Sequence, residues 1–141
     1  VRRDKTTFWL GGDERGSGIA WRAQGYLPVR ISNHAVEMAW QGYSRIDDAI
    51  GYAYQDQGHA FYVLYFPTAN KTWCLDVATG MWHERSSMEN QAPAAHLARC
   101  HVFCFGKHLV GDRKMARSSS ESGGHPMSHR KRGRFTLRNL P

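Results

Sequence analysis

Ile50-Gly51-Tyr52-Ala53-Tyr54-Gln55-Asp56-Gln57-Gly58-His59-Ala60-Phe61-Tyr62-Val63-Leu64-Tyr65-Phe66, continuing through Pro67-Thr68-Ala69-Asn70-Lys71-Thr72-Trp73-Cys74-Leu75-Asp76-Val77-Ala78-Thr79-Gly80-Met81-Trp82-His83-Glu84-Arg85, is the stretch that decides the fold. Tyr52 and Tyr54 alternate with the small residues Gly51 and Ala53, which is the period of a strand rather than of a helix. Asp56-Gln57-Gly58 supplies a turn, and Phe61 to Phe66 is nearly continuous in apolar residues, as a strand covered on both faces should be. Two further runs, Thr72–Val77 and Met81–Arg85, are separated by Ala78-Thr79-Gly80. Four strands joined by loops this short can only run antiparallel, as a twisted meander.

On the amino-terminal side, Thr7-Phe8-Trp9-Leu10 and Ile19-Ala20-Trp21-Arg22 read as a hairpin across Gly11-Gly12-Asp13 and Gly16-Ser17-Gly18. From Ser32 the period changes. Val36, Ala39 or Trp40, and Tyr43 recur at helical spacing behind a cap at Ser32 or Asn33, predicting a short helix of about three turns. Ser44–Asp48 reads as the connection out of it. On the carboxyl-terminal side, residues 86–95 are polar and contain Pro93, which reads as a loop. Cys100–Phe105 then pairs with His108–Asp112 across Gly106-Lys107, with Gly at the position that a type II′ turn prefers.

Leu10-Gly11-Gly12-Asp13 and Leu109-Val110-Gly111-Asp112 each place Gly-Asp after an apolar strand end, and the Asp76–Trp82 hairpin has the form found in kelch-type repeats. A four-stranded sheet cannot bury both faces alone, so stacking on similar sheets about an axis is the natural solution. The chain therefore reads as all-β: an antiparallel four-stranded propeller-type blade at about 49–85 within an incomplete β-propeller-like region, 1–112. One short helix and a disordered basic tail, 113–141, complete it.

Charge separates those two segments. The net +7 suggests a nucleic-acid partner, but Lys/Arg and Asp/Glu balance over residues 1–112. The excess lies wholly in 113–141, where eight basic residues face Glu121 alone. Low hydrophobicity with like charge predicts disorder there. Three readings of this tail stand side by side. It is a DNA-binding arm acting through Arg130, Lys131, Arg132, Arg134 and Arg138; a solvated terminus; or a segment translated out of frame after about residue 113. At 41% hydrophobic and 12% aromatic, the remainder is a packed protein, not a coiled coil or a collagen. No run approaches membrane-spanning length and no secretory leader is apparent, so a non-exported chain without a membrane anchor is expected. Cys74, Cys100 and Cys104 read as free thiols.

Reactive constellations are few. His96, Cys100, Cys104 and His108 would converge on zinc if helical, yet their neighbours read as strand. On one strand face, residues four apart sit about 13 Å from each other and cannot share a metal. No metal or cofactor is therefore expected. Asp47 and Asp48 are adjacent and read as turn-capping carboxylates rather than an acid–base pair. The aromatics between Tyr52 and Trp82 lack the interleaved cations of a base-stacking platform and read as core. Histidines 59 and 83 read as cross-sheet structural residues. No P-loop, dinucleotide fingerprint or nucleophile elbow occurs, so no enzyme is expected.

The ordered series His34-Ala35-Val36-Glu37, Tyr43–Tyr52, Gly58–Leu64, Phe66-Pro67-Thr68-Ala69 and Thr72–Arg85 resembles the packaged-DNA stabilisation proteins of short-tailed bacteriophages, over about residues 7–112. The resemblance implies a propeller-like virion subunit with no catalytic residues. It would be assembled in the bacterial cytoplasm and present as a ring of copies beneath the portal and its adaptor, joining them to the distal tail and helping to retain packaged DNA. The chain is shorter than whole members of that group, which makes it a cut piece or prophage remnant in this reading. The alternative is a nucleic-acid-binding module working through the basic tail.

Overall fold

The computed structural model of the protein describes residues 6–112 together with Arg138 and Asn139. The chain divides into two compact units, 1–95 and 96–141.

The first unit opens with a three-stranded antiparallel sheet, β1 (Phe8–Gly12), β2 (Gly18–Gln24) and β3 (Leu27–Arg30), in chain order. The expected hairpin is present, with Trp9 opposite Trp21, and β3 extends it beyond what the sequence reading anticipated. Helix α1 spans His34–Gln41, shorter than the three turns expected. Its N-cap is Asn33, whose side-chain oxygen accepts the Val36 N–H at 3.0 Å, and Gly42 ends it.

A five-stranded meander follows: β4 (Ile50–Asp56), β5 (His59–Phe66), β6 (Lys71–Asp76), β7 (Met81–Glu89) and β8 (Ala92–Ala95), hydrogen-bonded in chain order. The four strands read from the sequence are all here. The expectation of a loop at 86–95 is overturned, because β7 runs on to Glu89 and turns back at Asn90-Gln91 into β8. Both turn residues have positive φ, 50° and 65°, the backbone of a primed two-residue hairpin. Pro93 is tolerated because β8 is the edge of its sheet.

The two faces of this meander differ. Tyr62, Leu64, Phe66 and Leu75 point to one side, where they pack with Ala20 of β2 and with Val36 and Trp40 of α1 into the main core. Trp40 meets Phe66 and Trp82 with ring centroids 5.5 Å apart in each case. The opposite face carries a smaller cluster of Val63, Cys74 and Tyr54, flanked by Tyr52 and Phe61. Tyr62 through Phe66 is buried throughout, so the continuous apolar run does mark a strand covered on both sides.

In the second unit, β9 (Ala98–Cys104) and β10 (Lys107–Asp112) form a hairpin, and Arg138–Asn139 adds as β11 against Val110 and Leu109. The loop is Phe105-Gly106, not the expected Gly106-Lys107. Both residues have positive φ, 53° and 69°, so the turn is of the I′ family rather than II′. A register shift between Gly111 and Asp112 ends the ladder.

Candidate interaction surfaces

The residues singled out for chemistry are dispersed in the structure. Arg130, Lys131, Arg132 and Arg134 lie outside the described residues, and Arg138 is fixed by its backbone pairing to Val110 in β11. Cys100 and Cys104 stand on strand β9, opposite Gly111 and Lys107, while His96 precedes the strand and accepts the Ala98 N–H at 3.2 Å. His101 and His108 approach diagonally across the hairpin, with Nε2 and Nδ1 2.9 Å apart. Burial, together with the neighbouring His108, lowers the pKa of His101. Among the described residues, no group of three His, Cys, Asp or Glu side chains converges in a way that could hold a metal.

Asp47 and Asp48 do different work. Asp47 takes both Nε and Nη2 of Arg45, while one oxygen of Asp48 accepts the Thr68 N–H at 2.9 Å and its hydroxyl at 2.6 Å, closing the β5–β6 turn. His59 reaches across to Asp76 at 3.1 Å. Burial by itself would raise the Asp76 carboxyl, but the Ala78 N–H and His59 outweigh it and hold its pKa low. His83 lies 3.3 Å from Arg85 Nε, and burial with that cation lowers its pKa.

The second face of the meander is built around Arg85. Its guanidinium donates to the Tyr54 hydroxyl at 2.7 Å and sits over the rings of Tyr54 and Phe61, 5.7 and 5.4 Å from their centroids. Cys74 lies beneath, fully buried, and burial pushes its thiol up to about 11, as suits a packing residue. The sequence pattern marks these aromatics as core, and the cation that covers them is a feature of the folded sheet. Arg85 is four residues from Met81 and ends the run that was read as the last strand. On a strand, that spacing puts it on the face of His83, which was a signal available in advance.

A second feature escaped the sequence reading. β1 and β4 are edge strands, and a cleft of about 740 Å3 opens beside them, lined among others by Phe8, Leu10, Asp47, Gly51, Ala53 and Leu64. Gly51 and Ala53 present almost no side chain on the inner face of β4, so the two sheets are not sealed along this side. Tyr62 forms part of the lining. Its ring stacks on Phe8 at 4.8 Å and runs beneath Gly51, where an added Cβ would lie 3.2 Å from the tyrosine hydroxyl. The side chain is only 4% exposed, and burial pushes its pKa up to about 12. The alternation of Tyr with Gly and Ala along β4 marks one face as small, but which partner that face leaves uncovered is set by the neighbouring sheet.

No helix among the described residues is long and apolar enough to cross a membrane. Residues 1–119 match the family described as bacteriophage P22 Gp10, beta-propeller. Neither a curated protein nor a solved structure matches the chain.

Proposed function

The chain belongs to this bacteriophage DNA-stabilisation family, and from that premise we propose that it works by contact, as one of several copies in a ring that joins the portal and its adaptor to the distal tail and helps retain packaged DNA. A phage structural component is what the family membership gives directly. The finer placement is supported by the architecture of the first unit. Its meander buries one face against β1–β3 and α1, and its other face and open edges offer surface to neighbours. Function then resides in the connections, residues 13–17 and 67–70 and the Asn90-Gln91 turn, displayed by a rigid sheet. The proposed organisation is a propeller-like region, 1–112, followed by the basic segment 113–141. We further propose that the chain is a piece of a larger subunit, assembled in the bacterial cytoplasm and carried in the virion.

The test is to tag the gene in its phage or prophage background, purify particles, and ask whether the product is present in fixed ratio to the portal and whether particles lacking it lose DNA. Presence together with DNA loss supports the role, whereas absence from particles with unchanged DNA content removes it.

A second reading is favoured by the confinement of the net charge to 113–141. In it, Arg130, Lys131, Arg132, Arg134 and Arg138 contact phosphates. Replacing all five by Gln should flatten the salt dependence of duplex binding by about 0.9 in log–log slope for each lost contact. An unchanged slope rejects this arm.

A further inference from the structure

Two features of opposite shape are left over. One is the cleft beside β1 and β4, which has Phe8, Leu10 and Leu64 in its walls, Asp47 as its one charged lining residue, and no Lys or Arg. Tyr62 lies at its floor, and the structure gives its hydroxyl no hydrogen-bond partner among the described residues. The other is the tip of the β9–β10 hairpin. Phe105 is 95% exposed there, with Phe103 and Val102 also exposed beside it. Phe105 holds φ at 53°, a left-handed backbone that Asn or Gly adopts at lower cost, so this residue contributes nothing to its own turn. What it offers is an apolar knob for another molecule.

We propose that the Phe105 tip of one copy of this chain enters the β1–β4 cleft of the next copy. The inference rests on the ring reading above and names the contact that would build it. The occupant is argued on size and charge. A cavity of this volume accommodates an aromatic side chain with its neighbours. Exposed Lys107, next to the tip, complements Asp47 at the cleft, although Arg45 already pairs with that carboxylate, so its effect is mainly on approach.

Area sets the strength. Val102 and Phe103 are strand neighbours that face opposite ways, so Phe105 with Phe103 brings on the order of 300 Å2, well below the roughly 800 Å2 per partner of stable complexes. A single joint is therefore weak and concentration-dependent. Because knob and cleft are different patches, a single joint leaves a free cleft on one copy and a free knob on the other.

Sedimentation velocity on the 141-residue chain, from low to high micromolar, tests this with Phe105→Asn, which suits the turn, and Ala53→Arg, which fills the cleft at an exposed position. The parent should self-associate, and each variant alone should do so at least about tenfold more weakly. An equimolar mixture of the two should form a heterodimer and nothing larger, since it retains one intact knob and one intact cleft. Circular dichroism checks that both variants fold. A parent that stays monomeric, variants that associate like the parent, or a mixture that stays monomeric overturns the joint. Incorporation into particles with F105N associating like the parent removes the joint alone. Exclusion from particles with the mixture behaving as expected removes the virion role alone.

Discussion

Trp82 donates its indole N–H to the main-chain carbonyl of Ile31 at 2.8 Å, tying β7 to the segment between β3 and α1 across fifty-one residues of sequence. The same ring packs edge-on against Trp40 of α1 and Tyr62 of β5, so one side chain ties the meander to the helix and to the segment that leads into it. Trp82→Phe keeps most of the ring contact and removes the donor, leaving the Ile31 carbonyl without this partner. Urea unfolding should report a loss of about 1–2 kcal/mol with an unchanged m-value.

Glu37 is buried on α1 and accepts from Arg30 through both carboxylate oxygens and from the Ser32 hydroxyl at 2.5 Å, while Ser32 in turn accepts the Ala20 N–H at 3.0 Å. Burial alone would raise the carboxyl, but the bonds from Arg30 and Ser32 outweigh it and depress the pKa below the usual 4.5. A depressed carboxylate contributes stability that is fully present above its ordinary pKa and is lost as pH falls through the folded value. Denaturant midpoints should therefore drop below about pH 4.5. Glu37→Gln should shallow that acid limb and cost about 1–2 kcal/mol at neutral pH.

Gly51 and Tyr62 form a close pair, with room for the tyrosine only because position 51 carries no side chain. Gly51→Ala should cost about 1 kcal/mol by crowding the ring at 3.2–3.3 Å. In a Tyr62→Phe background the nearest of those atoms is gone, so the penalty should shrink. A double-mutant cycle that is additive within error would contradict this account of the cleft floor.

The turn at Phe105 should respond in the opposite direction to most substitutions. Phe105→Asn, which accepts φ of 53° more readily, should stabilise the β9–β10 hairpin by about 0.5–1 kcal/mol, read as slower amide exchange at Leu109 and Val110.

His101 supplies a second pH test. Its pKa is lowered by burial and by His108, so the unfolded chain binds a proton that the folded hairpin resists. Stability then rises with pH up to the ordinary value near 6.5 and falls as acid protonates the unfolded form. Amide exchange in β9 and β10 should quicken below that pH, after correction for intrinsic rates, and His101→Gln should remove the dependence.

The positions of β1, β2, α1, β4, β5, β6 and the start of β7 follow from alternation, turn residues and the Asn33 cap, all of which act within a few residues of each other. Where the sequence reading failed, the deciding interaction was local but atypical. Asn90-Gln91 and Phe105-Gly106 are primed turns in which Gln or Phe occupies a left-handed backbone, and neither residue type advertises it. Pro93 in β8 argued for a loop until the strand proved to be an edge. Of the interaction surfaces, the aromatic run is legible in the sequence, and the spacing of His83 and Arg85 puts the cation on one face of its strand without recording that this face carries Tyr54 and Phe61.

What the amino-acid order determined by itself is the meander, because period-two patterning and short turns leave an antiparallel neighbour pairing as the only arrangement that satisfies the backbone. It also determined the separation of charge between 1–112 and 113–141. Only the tertiary structure decided which face of the meander lies under α1 and β1–β3, and that Gly51 leaves the Tyr62 hydroxyl at the floor of an open cleft. Those outcomes depend on side chains from strands remote in sequence competing for the same volume, and no local pattern records which of them wins.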